Sequence, residues 1–339
     1  MTLSIAAQKR QIDALLAKQE KVIADAFLMA MQQATFVIDQ AALIAALDVA
    51  VQTGNLAPAQ EVLRISRAAL FPLTEGTRGT YLAGAQSVTP NLPRGLRGAF
   101  GFDGSHPNAV AFVAEKSALL VEAIQIEQVQ SVRAVIQNGI NTGQSSQDMA
   151  RDITGRVVGR QRVGGIVGLN SQQTDSIIRG RARLLSGDPS EMQRYLDLKL
   201  RDRKHDRTIK AAIRDERQIT AQQVDRIIGD HKNKALGYRG RVIAKQEAHT
   251  ALMAGRNESY DQMLASGQVE SITHRWQHNL SVNPRIDHVQ MNGTIVQHGE
   301  PFVFPDGTRM MHPGDPAGGA EHTIGCRCVA VSRVRLPRD

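Results

Sequence analysis

The sequence predicts a mainly α protein. Extended helical N-terminal and middle regions lead into a small α+β C-terminal module that contains a β-hairpin. Three observations carry this prediction. Aromatic residues make up only 4% of the 339-residue chain and apolar residues 42%. Such a chain builds its core from Ala, Ile, Leu and Val, which suits packed helices better than a β-sandwich. Apolar residues recur at helical spacing over long stretches before residue 268. From Val269 onward, short β-prone runs alternate with turn dipeptides. The length allows two or three domains at ~150 residues each. Composition divides the chain at 1–70, 71–107, 108–268 and 269–339.

In the first segment Ile12, Leu15, Leu16, Val22, Ile23, Ala26 and Phe27 form one apolar stripe, interrupted by Gln19. Thr53-Gly54-Asn55 breaks the pattern. Pro58 then starts a helix that carries Val62, Leu63, Ile65 and Leu70. Between 71 and 107 Pro and Gly are dense, including Gly76, Gly79, Gly84, Pro90 and Pro93. Breakers at this density predict an extended, docked linker or arm rather than a long helix. A long helix returns over 108–140 and closes at Gly143. Ser145 caps a short helix to Ile153, and Asn170 or Ser171 caps the next. A further helix starts at Thr220, and Arg239 to Leu264 reads as one long helix ended by Gly267. Glu247 within it is a single carboxylate and reads as structural.

The last segment collects the rare side chains. It holds the only Trp (Trp276), both cysteines (Cys326, Cys328) and six of the ten histidines: His274, His278, His288, His298, His312 and His322. Asn292-Gly293 between Ile286–Met291 and 294–297 signals a hairpin. Phe302-Val303-Phe304 precedes a Pro-Asp-Gly turn, and 329–334 suits a closing strand. Cys326-Arg327-Cys328 beside histidines invites a zinc reading, because thiolate and imidazole are preferred zinc ligands and a small module benefits from a metal staple. Candidate ligands are Cys326 and Cys328 with His288, His312 or His322. The alternative is two co-buried thiols with no cofactor, since finger-type knuckles separate their cysteines by more residues. A strand-like Cys-x-Cys points both side chains the same way, which permits either. A nuclease reading on His278-Asn279 lacks a paired acidic cluster. A cysteine hydrolase lacks an activating context. No Walker loop, dinucleotide fingerprint or nucleophile elbow occurs.

The net charge is +8 and the pI about 9.8. Between Arg151 and Arg217, 16 Lys or Arg face 9 Asp or Glu, so nearly all the excess lies there. A basic stripe suits a phosphate backbone, because each contact releases condensed counterions. Candidate DNA contacts are Arg179, Arg181, Arg183, Arg201, Arg203, Lys204 and Arg207. Signs also alternate within the segment, as in an exposed salt-bridged helix. Two cysteines form no disulfide framework, which points to a reducing cytoplasm. The N-terminus lacks a signal-peptide core, and the longest apolar run, Ala41 to Val51, falls short of the ~20 residues that span a membrane. The expectation is a soluble protein that is not secreted.

Trp276, Arg285, His288, Gly293, Phe302, Pro313-Gly314-Asp315-Pro316, Cys326 and Cys328 stand in an order that resembles the phage Mu F-like minor head proteins, the phage head-morphogenesis domain family. The helix Arg241-Val242-Ile243-Ala244-Lys245-Gln246-Glu247 is similar to one that precedes that module, though Lys245-Gln246 stands where Arg-Thr is commoner. The resemblance covers about residues 110 to 334 and is specific chiefly in the C-terminal ordering. It implies a virion protein of few copies, made in the host cytoplasm and seated at the portal vertex or head interior. Its implied partners are the portal protein, other head proteins and packaged double-stranded DNA, bound without sequence preference. It implies no enzymatic activity, no membrane and no room for an appended enzyme domain. The competing readings are a metal-dependent nuclease or hydrolase, and a zinc-stapled adaptor, each built on the C-terminal histidines and cysteines.

Overall fold

A computed structural model describes residues 3–279 and 283–337. The helices in chain order are α1 (Ile5–Phe36), α2 (Gln40–Thr53), α3 (Ala57–Val62), α4 (Phe71–Gln86), α5 (Arg94–Arg97), α6 (Pro107–Asn141) and α7 (Ser146–Thr154). The strands β1 (Arg156–Val158) and β2 (Gln161–Val163) follow, then α8 (Ser171–Leu185), α9 (Pro189–Leu196), α10 (Asp206–Arg214) and α11 (Ala221–Ala265). The C-terminal part contains β3 (Ser271–Gln277), α12 (Ile286–Gln290), β4 (Ile295–Gln297), β5 (Phe302–Val303), β6 (Arg309–Met310), α13 (Gly319–Thr323) and β7 (Val329–Arg335). The protein is therefore mainly α with a small α+β module at the C-terminus. No single helix among the described residues is long and apolar enough to cross a membrane; α1 and α2 reach that composition only together, across a 76° bend.

The helix starts follow local chemistry. The Ser145 hydroxyl accepts the Asp148 N–H, and Asn170 with Gln173 forms a reciprocal capping box. Thr220 and Gln223 exchange the same pair of bonds at the head of α11. Gly54, Gly143 and Gly267 take positive φ just past α2, α6 and α11, where a left-handed residue ends a helix. The helix predicted to carry Val62 through Leu70 is shorter than expected: α3 stops at Val62.

Two compact units emerge, and neither follows the consecutive division expected from composition. One comprises 1–26, 73–117 and 241–339; the other comprises 27–72 and 118–240. Helices α1, α4, α6 and α11 each run through a unit boundary. Apolar periodicity marks which face of a helix is buried but not which core receives it.

In the first unit the C-terminal half of α11 is the axis. Leu252 and Met253 pack with Ile12 and Leu16 of α1 and with Val329 and Val331 of β7. Tyr260 and Met263 pack with Val88, Leu92, Leu96 and Phe100. Ala251 and Ala254 meet Tyr81 of α4 and Ala109 of α6. Thus 71–107 is not an extended arm. It contains α4 and α5, and Leu73, Tyr81, Leu92, Leu96 and Phe100 within it are buried. The glycines misled because their role in α4 is contact rather than interruption: a Cβ at Gly84 would collide with the Leu252 carbonyl, and one at Gly255 of α11 with the Tyr81 carbonyl. The two helices cross with backbone against backbone.

The module's main sheet has order β4-β3-β7, all antiparallel, with His274 opposite both Val296 and Ser332. Gln8 of α1 closes one end by accepting the Ser332 N–H and donating to the Ser332 carbonyl. The hairpin expected at Asn292-Gly293 is absent. Residues 286–290 are helix α12, and β4 pairs with β3. The β-branched Ile286 and Val289 face solvent, whereas His288 and Met291 are buried at helical spacing. Asn292-Gly293 is the turn from α12 into β4, with Gly293 at φ 92. The module's hairpin is β5–β6, around Pro305-Asp306-Gly307.

In the second unit the Gly168 N–H donates to Gln128, and the Gly168 carbonyl accepts from Arg239. Arg239 also pairs with Glu127 and lies over the Phe27 ring. Lys232 is buried and donates to the Asp152 carbonyl and carboxylate, both at 3.0 Å. The strands β1 and β2 form a short exposed hairpin.

Overpacking the α4–α11 crossing is expected to destabilise the protein. Gly84→Ala and Gly255→Ala should each cost about 1–3 kcal/mol in urea unfolding, as forced overpacking does. Gly79→Ala, on the open side of α4 with nothing near its added methyl, should be neutral or stabilise by up to about 1 kcal/mol.

Candidate functional site

His288 sits at the centre of the C-terminal module. Arg285 opens α12 in extended conformation and donates to the Ile324 carbonyl at 2.6 Å, tying that helix to the end of α13. This directs the His288 ring beneath Trp276, which meets it edge-on at 5.7 Å between centroids. Trp276 also packs edge-on against Phe302 and Phe304. The ring's Nδ1 atom faces two sulfurs, Cys326 Sγ and Cys328 Sγ, each at 3.5 Å. Its Nε2 atom lies 3.2 Å from His322 Nδ1, and His322 Nε2 reaches Asp306 Oδ2 at 2.9 Å. Trp276, His288, His322, Cys326 and Cys328 are all at most 5% exposed.

The His322 tautomer follows from that chain. The Thr308 N–H, 2.9 Å from Asp306 Oδ1, together with His322 holds the Asp306 carboxyl down to about 2. As a carboxylate it accepts the His322 Nε2 proton. His322 Nδ1 stands opposite both His288 Nε2 and Asp287 Oδ2, each at 3.2 Å. His288 Nδ1 is directed at the sulfurs. The adjacent Cys328 thiol and His288 hold Cys326 below the usual thiol range, and Cys326 together with burial pushes Cys328 up.

The structure thus brings His288, Cys326 and Cys328 together, as their sequence pattern suggested, and adds His322 beside them. His312 stands apart, with Nδ1 against the Pro313 carbonyl at 3.1 Å. Sequence reasoning missed Asp306 and Asp287. Asp306 was legible only as a turn residue, and Asp287 only as a neighbour of His288; its Oδ2 lies 3.2 Å from His322 Nδ1. The remaining motif residues shape the backbone. Gly293 donates to the Trp276 carbonyl at 2.9 Å. Gly314 adopts φ 80 directly against His249, where any Cβ would clash. Pro313 is buried beside it. Asp315 accepts from Met311 and Ala317, folding Pro313–Pro316 into a turn.

A second polar chain crosses the same sheet. The Ser332 hydroxyl meets His274 Nδ1 at 2.8 Å, His274 Nε2 meets His298 Nδ1 at 2.7 Å, and His298 Nε2 meets Asp261 at 2.8 Å. A serine beside an imidazole has the composition of a nucleophile and its base. Here Ser332 is 6% exposed with its backbone clamped by Gln8. Substrate has no approach, and the chain reads as satisfaction of buried polar groups. Glu247 is likewise buried, 3.4 Å from Lys116, with its carboxyl raised by burial.

The seven basic candidates divide in two. Arg181 holds Asp225 at 2.6 Å, Arg183 reaches Glu191 at 3.5 Å, Arg201 grips Asp206 through two 2.9 Å bonds, and Lys204 holds Asp230 at 2.9 Å. Arg179, Arg203 and Arg207 are exposed and, among the described residues, make no ion pair. Arg160, at the tip of the β1–β2 hairpin, is exposed too. A cavity of about 200 Å³ in this unit is lined by Arg181, Asp152, Asp225 and Lys232, groups that neutralise one another.

A stretch of 94 residues, 27% of this chain, is 31% identical to a Bacillus subtilis (strain 168) protein named "Uncharacterized protein YqbB". The chain spans 29% of that relative's length. No family model matches the chain, and no solved structure matches it.

Mild acid should destabilise the fold. Burial holds His274 down to about 3, and in the other unit burial holds His231 down to about 4. Both rings stay neutral when folded and titrate near 6.5 when unfolded. Below that pH the unfolded chain binds more protons, so stability is intact above 6.5 and falls towards the folded values. The slope is at most about 1.4 kcal/mol per pH unit for each ring. Denaturant unfolding between neutrality and pH 4.5 measures it, and His274→Asn should remove one ring's share.

Proposed function

We propose that this protein is a non-enzymatic minor head protein of the phage Mu F-like type. It works in head morphogenesis at the portal vertex or head interior, after synthesis in the host cytoplasm. The observation that carries this reading is the C-terminal module itself. Trp276, Arg285, His288, Gly293, Pro313, Gly314, Cys326 and Cys328, the residues whose order resembles that family, all serve one closed core or its turns. A motif spent on internal packing is what an assembly module needs, and it leaves no open constellation for catalysis. Portal and other head proteins are its proposed partners.

Packaged double-stranded DNA is the other proposed partner. The exposed Arg179, Arg203 and Arg207 are free to neutralise phosphates. Arg181, Arg183, Arg201 and Lys204 are engaged with carboxylates and contribute less. Backbone neutralisation carries no sequence information, so binding is expected to be sequence-independent.

Fluorescence anisotropy with short duplexes of unrelated sequence tests the DNA contact. Log K should fall linearly with log salt, equally for every duplex. The triple variant Arg179→Ala, Arg203→Ala, Arg207→Ala should flatten the slope by roughly 3, about one unit for each phosphate that is no longer neutralised. Arg181→Ala should change stability more than slope. A salt-independent interaction, or none, would remove the DNA contact and leave portal binding. Co-expression with the portal protein tests that half: failure to co-purify or to enter assembled heads would overturn it.

A further inference from the structure

Two sulfurs stand at the same distance, 3.5 Å, from one nitrogen, His288 Nδ1. That atom has either one lone pair or one proton and can complete only one well-directed hydrogen bond. A metal ion explains the symmetry. In a tetrahedral zinc site with Zn–N of about 2.0 Å and Zn–S of about 2.3 Å, nitrogen and sulfur ligands lie about 3.5 Å apart. The three ligand atoms also lie within 4.8 Å of one another, in a fully buried group.

We propose that Cys326, Cys328 and His288 Nδ1 bind one structural zinc ion, with His322 and Asp306 orienting the imidazole from behind. The surroundings fit this on independent grounds. A metal-bound imidazole usually donates its other N–H to an oriented acceptor, and the His288–His322–Asp306 chain provides one at 3.2 and 2.9 Å. Zinc binds thiolates, and one sulfur is met by an N–H donor. Cys328 N donates to Cys326 Sγ at 3.4 Å. The Trp276 indole N–H, on a ring in the same buried core as both sulfurs, has no hydrogen-bond partner among the described residues. A thiolate pair would satisfy what thiols leave unmet.

The donor set selects the metal: two soft thiolates and an imidazole, filling three of the four positions of a tetrahedral site, suit zinc over calcium or magnesium. Asp287, His288 and His322 form a second group of possible ligands. It would need His288 Nε2 and His322 Nδ1, the two atoms already turned towards each other. The ion would join α12 to the segment entering β7, closing a core of Trp276, Met291, Phe302, Phe304 and Met310.

Elemental analysis of the full chain purified without chelator should find one zinc per chain. After chelation under reducing conditions, cobalt(II) added to the unmodified protein should produce sulfur-to-cobalt charge-transfer absorption, and both thiols should become protected from a disulfide reagent. His322→Ala should keep that absorption but weaken the metal about 10–100-fold. Cys326→Ser should reduce it, and Cys326→Ser with Cys328→Ser should abolish it. A wild-type protein that holds no zinc and gives no cobalt–thiolate absorption would overturn the site. So would a metal that survives the double serine change, which would place it on Asp287 and His322. None of these readouts depends on DNA or portal binding, so this site and the proposed function can fail separately.

Discussion

Backbone contact between α4 and α11 is the constraint on which the first unit rests. Helices normally pack 8–10 Å apart because side chains intervene. At Gly84 and Gly255 nothing intervenes, and each glycine faces a carbonyl of the opposite helix. This draws Ala251 and Ala254 onto Tyr81 and leaves the other faces of α11 for α1, β7 and the strand-forming module. Arg256 is held in the same region by bonds to Ser87 and Tyr260. One turn before this crossing, His249 donates to the Cys328 carbonyl at 2.8 Å. The segment that bears the thiols is thus registered on the same helix.

The module is unusual in using histidine as core. Imidazoles are buried at a cost unless their nitrogens are paired. Here the rings pair with one another and end on carboxylates, through His322 on Asp306 and through His298 on Asp261. Such chains leave little slack, because moving one ring orphans the next. They specify one arrangement of β3, β4, α12 and α13 in a module too small to do so by apolar burial alone. The proposed metal at the thiol end of one chain would extend the same logic and supply folding free energy directly.

Net charge proved a coarse guide to the basic segment. Its surplus of positive charge is real, yet several arginines are spent on Asp152, Asp206, Asp225 and Glu191 within their own unit. These half-buried pairs remove charge from any phosphate. What remains for a polyanion is a smaller set on α8, near the start of α10 and on the β1–β2 hairpin, chosen by geometry rather than by composition.

Much of the architecture was legible beforehand. Caps at Ser145, Asn170 and Thr220, the glycine stops after α2, α6 and α11, and the switch to strands after Val269 are local events, written in neighbouring residues. His288 with Cys326 and Cys328 was legible as a group because thiols and imidazoles are rare enough to be noticed. The errors share one cause. Gly76 and Gly84 looked like breakers because a glycine's local propensity says nothing about a helix pressed against it. Ile286 and Val289 looked like strand residues because β-branching is visible and burial is not. Asp306 looked like a turn residue because its histidine lies sixteen positions away. The sequence by itself determined the helical class, several helix caps and glycine stops, and the chemical inventory of the C-terminal module, since these depend on local backbone preference and composition. Only the tertiary structure decided which helices share a core, which arginines stay free and which nitrogen faces the two sulfurs. Those depend on distances between residues far apart in the chain, which no local propensity encodes.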